Sequence, residues 1–165
     1  MSELSTLHRA RRTGRPRDAH GLARDLSEAM GQLRRTVRRR VRRGFPHAPL
    51  GGNERELVLL LRDRADLRVG DAASALGLAD NTVSTLVGRL SEIGLVQRRT
   101  DPRDARAARL SLTPAARRRV ADWGDRSAQL IGSAIDDLSP ADRTALKAAV
   151  PALRALRARL EEETS

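Results

Sequence analysis

Arginine carries most of the chemistry that this sequence offers. Arg98, Arg99, Arg103 and Arg106 surround the turn Thr100-Asp101-Pro102-Arg103-Asp104. A guanidinium is a planar fork of N–H donors that matches phosphate oxygens and guanine edges. Asp104 stands two residues before Arg106, where a charge-assisted bond would orient it. Residues 97–119 hold eight arginines against two aspartates. A solvated charged turn is the plain alternative for such a run. Just upstream lie Asn81, Thr82, Ser84, Thr85, Gly88 and Arg89. Their amides and hydroxyls donate and accept, which suits them to base edges in a major groove.

Other chemistries lack their residues. Cysteine is absent, which excludes disulfides and thiol redox sensing. His8, His20 and His47 are too far apart for ligand spacing, so no zinc site is expected. No nucleophile has a nearby base and no glycine loop suits a nucleotide, so we expect no enzyme and no cofactor. No apolar run approaches the roughly 18 residues of a membrane span, and no signal peptide is legible, so the expected compartment is the cytoplasm. The formal charge is +11, from 32 basic and 21 acidic residues. Residues 1–43 hold 13 arginines and only four acids, so the charge gathers at the N-terminal end. Such a chain wants an anionic partner, nucleic acid first and an anionic membrane surface second. Lys147 is the one lysine; GC-rich coding is a bland reason for that preference.

The elements that must position these residues follow from periodicity. The 165 residues suffice for one domain, and with aromatics at 1% the core must come from Leu, Val, Ile and Ala. That suits packed helices, a mostly α fold with a small β-hairpin. Residues 1–20 read as a flexible basic arm. Leu22, Leu26, Met30, Leu33, Val37 and Val41 draw one stripe along a helix at 21–43, which ends in the breakers Gly44-Phe45-Pro46. Asn53 is expected to cap a second helix. Leu67–Gly70 reads as a link to a third at about 71–77, with Asp71 as cap and Gly77 at its end. A fourth runs over 80–93. Leu95 to Leu112 then alternates as a hairpin with a charged tip. Thr113-Pro114 and Ser139-Pro140 each start a long helix. Pro151 should kink or split the last.

In the fourth helix Val83, Leu86, Val87 and Leu90 take the spacing of a buried side, which leaves Asn81, Ser84, Thr85 and Gly88 opposite, flanked by Thr82 and Arg89. Alone, this is also the pattern of an ordinary amphipathic surface helix. Two short helices joined at Gly77-Leu78-Ala79 and followed by a charged hairpin make a winged helix-turn-helix arrangement.

The stretch Asn53 to Thr113 resembles the DNA-binding core of the multiple-antibiotic-resistance regulator (MarR) family. Thr82-Val83-Ser84, Leu86-Val87, Arg89-Leu90 and Gly94-Leu95-Val96 carry the helix motif, and Asp101-Pro102-Arg103-Asp104-Ala105-Arg106 through Leu110-Ser111-Leu112 to Thr113 carries the wing motif. The resemblance, about residues 21–162 with its flanking helices, implies a winged core at 53–113 between dimerisation helices at 21–46 and 114–162. It implies a homodimer on double-stranded DNA, each recognition helix and each wing (Arg98, Arg99, Arg103, Asp104, Arg106) meeting half of a pseudo-palindromic operator. A small-molecule effector would bind between the long helices and the core, with His47, Trp123 and nearby arginines as candidate contacts; Trp123 reads first as core, because it lies on the apolar stripe. The family often has Arg where this chain has Thr85, and Ser or Thr near Gly70 or Ala79.

Arg12-Thr13-Gly14-Arg15-Pro16-Arg17 resembles the minor-groove AT-hook core, with Thr13 in place of its usual Arg. Arg12, Arg15 and Arg17 are therefore candidate auxiliary DNA contacts; a basic tail without preference is the alternative. The basic amphipathic helix at 21–43 suits an interface better than a membrane surface. The competing function is an architectural, nucleoid-type DNA coater. Deleting residues 1–20 is expected to weaken DNA binding and flatten its salt dependence. Unchanged affinity and slope in a titration would refute a role for the arm.

Overall fold

The computed structural model describes residues 16–101 and 104–162, with side chains left undescribed at 16, 17, 101 and 104–107. The chain forms two compact units, Met1–Arg43 and Gly44–Ser165. In the first, helix α1 spans Pro16–Arg42. It begins earlier than expected. Pro16 fits a first helical position, where a missing N–H costs nothing, and Asp18 favours the positive end of the helix dipole. The arm at 1–20 thus yields its last five residues to the helix. Leu22 is 67% and Leu33 59% exposed, so this unit alone leaves much of its apolar stripe uncovered.

The second unit contains α2 (Gly52–Asp63), β1 (Leu67–Arg68), α3 (Val69–Leu76), α4 (Asp80–Glu92), β2 (Val96–Asp101), β3 (Asp104–Leu112), α5 (Pro114–Asp136) and α6 (Pro140–Glu162). Its core is Leu57, Val58 and Leu61 of α2, Ala72 and Ala73 of α3, Val83, Val87 and Leu90 of α4, Leu95, Val96, Leu110 and Leu112 around the hairpin, and Ala116 of α5. All are aliphatic, as the composition requires.

The sheet has three antiparallel strands in the order β1-β3-β2. The expected link at Leu67–Gly70 is in part a strand. Leu67 pairs with Leu110 and Arg68 with Arg109, which covers the edge of β3. Two residues are too few for an alternating pattern, and only the partner strand makes this segment β. The hairpin pairs Val96 with Leu112, Arg98 with Leu110 and Arg99 with Arg109, and its register shifts at Thr100/Asp101.

Turns and caps explain the boundaries. Gly77 at φ 62° and Gly94 at φ 71° end α3 and α4 in the left-handed region that glycine adopts without steric cost. At both, two crossed backbone bonds close the end: Leu78 to Ala73 and Gly77 to Ser74, then Leu95 to Leu90 and Gly94 to Ser91. Thr113 Oγ1 accepts from the Ala116 N–H at 3.1 Å and donates to the Gly94 carbonyl at 2.7 Å, so the cap of α5 also ties the base of the hairpin. Ser139 Oγ accepts from the Asp142 N–H at 3.1 Å at the start of α6.

Three further expectations are corrected. Asp71 does not cap α3, which begins at Val69 with Arg68 as its N-cap; from inside the helix the Asp71 Oδ2 accepts from the Arg68 N–H at 3.3 Å. Asn53 does not cap α2, because the helix begins one residue before it and Gly51 is its N-cap. Pro151 does not split α6, which runs unbroken to Glu162. Proline there frees the carbonyl four residues earlier, at Lys147. Because α6 buries no residue and Lys147 is exposed, water can take that carbonyl.

Leu110 has no exposed surface and sits between β1, β2 and the helices. Leu110→Ala should cost about 3 kcal/mol, a typical core truncation. Urea unfolding would check this, and a loss below about 1 kcal/mol would contradict the packing.

Candidate nucleic-acid interface

The two surfaces singled out in the sequence are built by α4 and by the hairpin that follows it. Val83, Val87 and Leu90 are wholly buried. Their spacing turns the opposite side of the helix outward, where Asn81, Thr82, Ser84, Thr85 and Arg89 are exposed and Gly88 is half-buried. A Cβ added at Gly88 would meet nothing within 4 Å, so internal packing does not require glycine there. Asn81 Oδ1 accepts from the Thr82 N–H at 2.7 Å, and Thr85 Oγ1 donates to the Asn81 carbonyl at 2.9 Å. These bonds fix both side chains along the first turn while leaving their remaining polar capacity outside.

Arg89 is held by a residue that the sequence reading passed over. Glu54 is a buried acid in α2, its side chain 6% exposed. Its Oε2 accepts from the Gly51 N–H at 2.7 Å, which closes the start of α2. Its Oε1 lies 3.0 Å from Arg89 Nε, ion-pair contact without a well-aligned hydrogen bond. The Arg89 side chain is 71% exposed. One edge of the guanidinium is thus tethered, and the rest faces solvent beside Leu86 and Gly51–Asn53. The signal was present in the sequence as an acid three residues after Gly51, but Asn53 drew the cap assignment.

Arg98 and Arg99 part ways. Neighbouring strand residues point to opposite faces. Arg98 shares a row with Leu67 and Leu110 on the helix-facing side, and its Nη2 reaches the Ser84 carbonyl of α4 at 3.4 Å. Arg99 lies on the outer side. Arg103 falls outside the described residues, as do the side chains of Asp104 and Arg106 at the hairpin tip. Arg12 and Arg15 also fall outside them, and Arg17 is placed in α1 by its backbone alone. Arg117 and Arg119, counted in the basic run, turn to backbone carbonyls of Leu112 and Ala48.

At the other end of this unit the chain's aromatic residues meet. Trp123 of α5 packs edge-on to Phe45 at 4.9 Å, and Phe45 in turn to His47 at 5.3 Å. Arg126 lies 5.7 Å above the Phe45 ring and donates to the Gly44 carbonyl at 3.1 Å. Trp123 is half-buried, and it is not among the residues of the core or those packed on it; it meets Phe45 instead. Among the described residues no cluster of His, Cys, Asp or Glu is arranged to hold a metal. No helix among them is long and apolar enough to cross a membrane.

The Glu54–Arg89 contact should appear as coupling. A double-mutant cycle with Glu54→Gln and Arg89→Gln is expected to give about 1 kcal/mol in thermal or urea unfolding. Additive effects would mean that the two groups do not hold each other.

Residues 52–107 match the family model described as MarR family. Several solved structures share the fold. A transcriptional regulator from Thermotoga maritima is 24% identical, covering 87% of this chain and 98% of its own, with a TM-score of 0.68. A MarR family protein from Bacillus stearothermophilus is 20% identical, covering 88% and 98%, with a TM-score of 0.63. A MepR mutant from S. aureus, solved bound to an oligodeoxyribonucleotide, is 20% identical, covering 83% and 96%, with a TM-score of 0.57. No curated protein matches the sequence. Residues 52–107 thus carry the match to the MarR family, and the described helices and sheet share the winged helix-turn-helix fold of these structures.

Proposed function

We propose that this protein is a sequence-specific DNA-binding transcriptional regulator that represses by occupying a pseudo-palindromic operator as a homodimer. The observation that carries this reading is the rotation of α4. Its wholly buried residues, Val83, Val87 and Leu90, are apolar, and its free side is narrow, polar and almost uncharged. Such a face enters a major groove and offers donors and acceptors to base edges. The hairpin follows directly, and the sequence of its tip carries Arg103 and Arg106, residue types that suit the negative potential of an adjacent minor groove. The MepR relative crystallised with an oligodeoxyribonucleotide is consistent with this use of the fold.

The apolar surface left on the long helices supports the dimer. Leu146, Val150, Leu153, Leu156 and Leu160 are all exposed along α6, as are Leu22, Met30 and Leu33 on α1. Stripes of this length call for burial against another surface, and a second copy supplies one with matching symmetry. A soluble, cytoplasmic regulator is the corresponding setting. The effector reading rests on the Phe45–His47–Trp123 cluster, where an apolar ring or a carboxylate would meet aromatic edges and Arg126. Binding there would release DNA by favouring a spacing of the two recognition helices that no longer matches the groove repeat of roughly 34–36 Å.

An architectural, nucleoid-type role is favoured by one observation, the net charge of +11. Phosphate contacts alone carry no sequence information, so that role gives a specificity ratio near one.

Footprinting on flanking genomic DNA is expected to reveal a discrete protected palindrome; uniform protection would favour the coater. Gly88→Ala separates fold from function. Alanine is the better helix former by about 1 kcal/mol, so the variant should melt at or above the wild-type temperature while binding operator at least tenfold more weakly. Undiminished affinity would remove α4 from the groove.

A further inference from the structure

Helix α1 carries an arginine face with no counter-charge. Residues 29–53 hold seven arginines and no acid. On α1, Arg35, Arg38, Arg39 and Arg42 stand at i, i+3, i+4 and i+7, so they share one side of the helix. That side lies opposite the stripe of Leu33, Val37 and Val41. All four arginines are exposed, and among the described residues their side chains have no hydrogen bond or ion pair. The acid before them, Glu28, lies about two turns from Arg35 and accepts from Gln32 at 2.8 Å. The acid after them in sequence, Glu54, is taken by Gly51 and Arg89. Like charges three and four residues apart weaken a helix, and this face stacks several such pairs. The helix dipole favours cations in the last turn, which accounts for Arg39 and Arg42 but not for Arg35 and Arg38.

We propose that Arg35, Arg38, Arg39 and Arg42 form a sequence-blind contact surface for the phosphodiester backbone of duplex DNA. This rests on the DNA-binding reading above and deepens it. A duplex carries about one negative charge per 1.7 Å of its axis. Four guanidinium groups spread over about 10 Å of helix meet two or more of these charges. Forked donors suit phosphate oxygens. A lipid surface fits less well. A helix lying in a membrane sinks its apolar stripe into lipid, whereas Val41 is already buried and Val37 half-buried. The face adds affinity and salt dependence without reading sequence.

The test uses the full chain with Arg35→Gln, Arg38→Gln, Arg39→Gln and Arg42→Gln together, and a second variant with Arg→Lys at the same four positions. Binding is titrated across a salt series on the footprinted duplex and on a scrambled duplex of equal length. Glutamine is close to arginine in helix propensity, so the first variant should melt within a few degrees of wild type. Its salt slope should fall by about 1.8 or more per protomer, near 0.9 for each phosphate no longer neutralised. The fall should be the same on both duplexes, leaving the ratio of the two affinities within about twofold of wild type. The lysine variant should keep the wild-type slope, because it keeps the charge. An unchanged slope in the glutamine variant overturns the proposal. So does a loss confined to the footprinted duplex, a loss shared by the lysine variant, or a glutamine variant that melts well below wild type, which would make the arginines structural. Binding to phosphatidylserine vesicles that the glutamine changes abolish, with the DNA slope intact, assigns the face to lipid and overturns it too. If wild type protects no discrete segment, the regulator reading fails by itself, and the slope on any duplex still decides what this face binds.

Discussion

The burial of Val83, Val87 and Leu90 decides what α4 can do. These three side chains have no exposed surface, and they pack among Leu57, Leu61, Leu110 and Leu112. A helix so anchored cannot roll. Its polar residues face outward because the apolar ones have nowhere else to go, and the angle between Asn81 and Arg89 is fixed by helix geometry. The two left-handed glycines then set where α4 begins and where the hairpin departs. The orientation of this polar face is thus a by-product of core packing, with capping bonds adding precision.

Much of this was legible in the residue order. The stripe at 83–90 gave the rotation of α4, Gly77 and Gly94 gave the breaks, and Thr113-Pro114 gave the start of α5 with its hydroxyl in the expected place. These are local signals, each settled within one or two turns of chain. The remainder depends on distant partners. β1 becomes a strand only because Leu110 and Arg109 stand beside it, more than forty residues later. The opposed roles of Arg98 and Arg99 follow from register, which alternation suggests but only pairing fixes.

Errors arose where two local rules competed. Asn53 is a fair N-cap by type, yet Glu54 satisfies the Gly51 N–H from inside the helix and starts it earlier. Pro151 breaks helices that are buried, but α6 has solvent on every side within this chain and tolerates it. Pro16 reads as arm by its neighbours and as a helix start by its ring. In each case the solvent exposure or the partner of one backbone group tipped the balance, and neither is visible in composition.

The connection before α2 has a mechanical consequence. Arg126 and Arg119 of α5 hold the carbonyls of Gly44 and Ala48, and Phe45 is wedged against Trp123. Three residues after Ala48, the same strand of chain reaches Gly51, whose amide is clasped by Glu54, which in turn touches Arg89. A continuous run of contacts thus joins α5 to the start of α2 and, through Glu54, to α4.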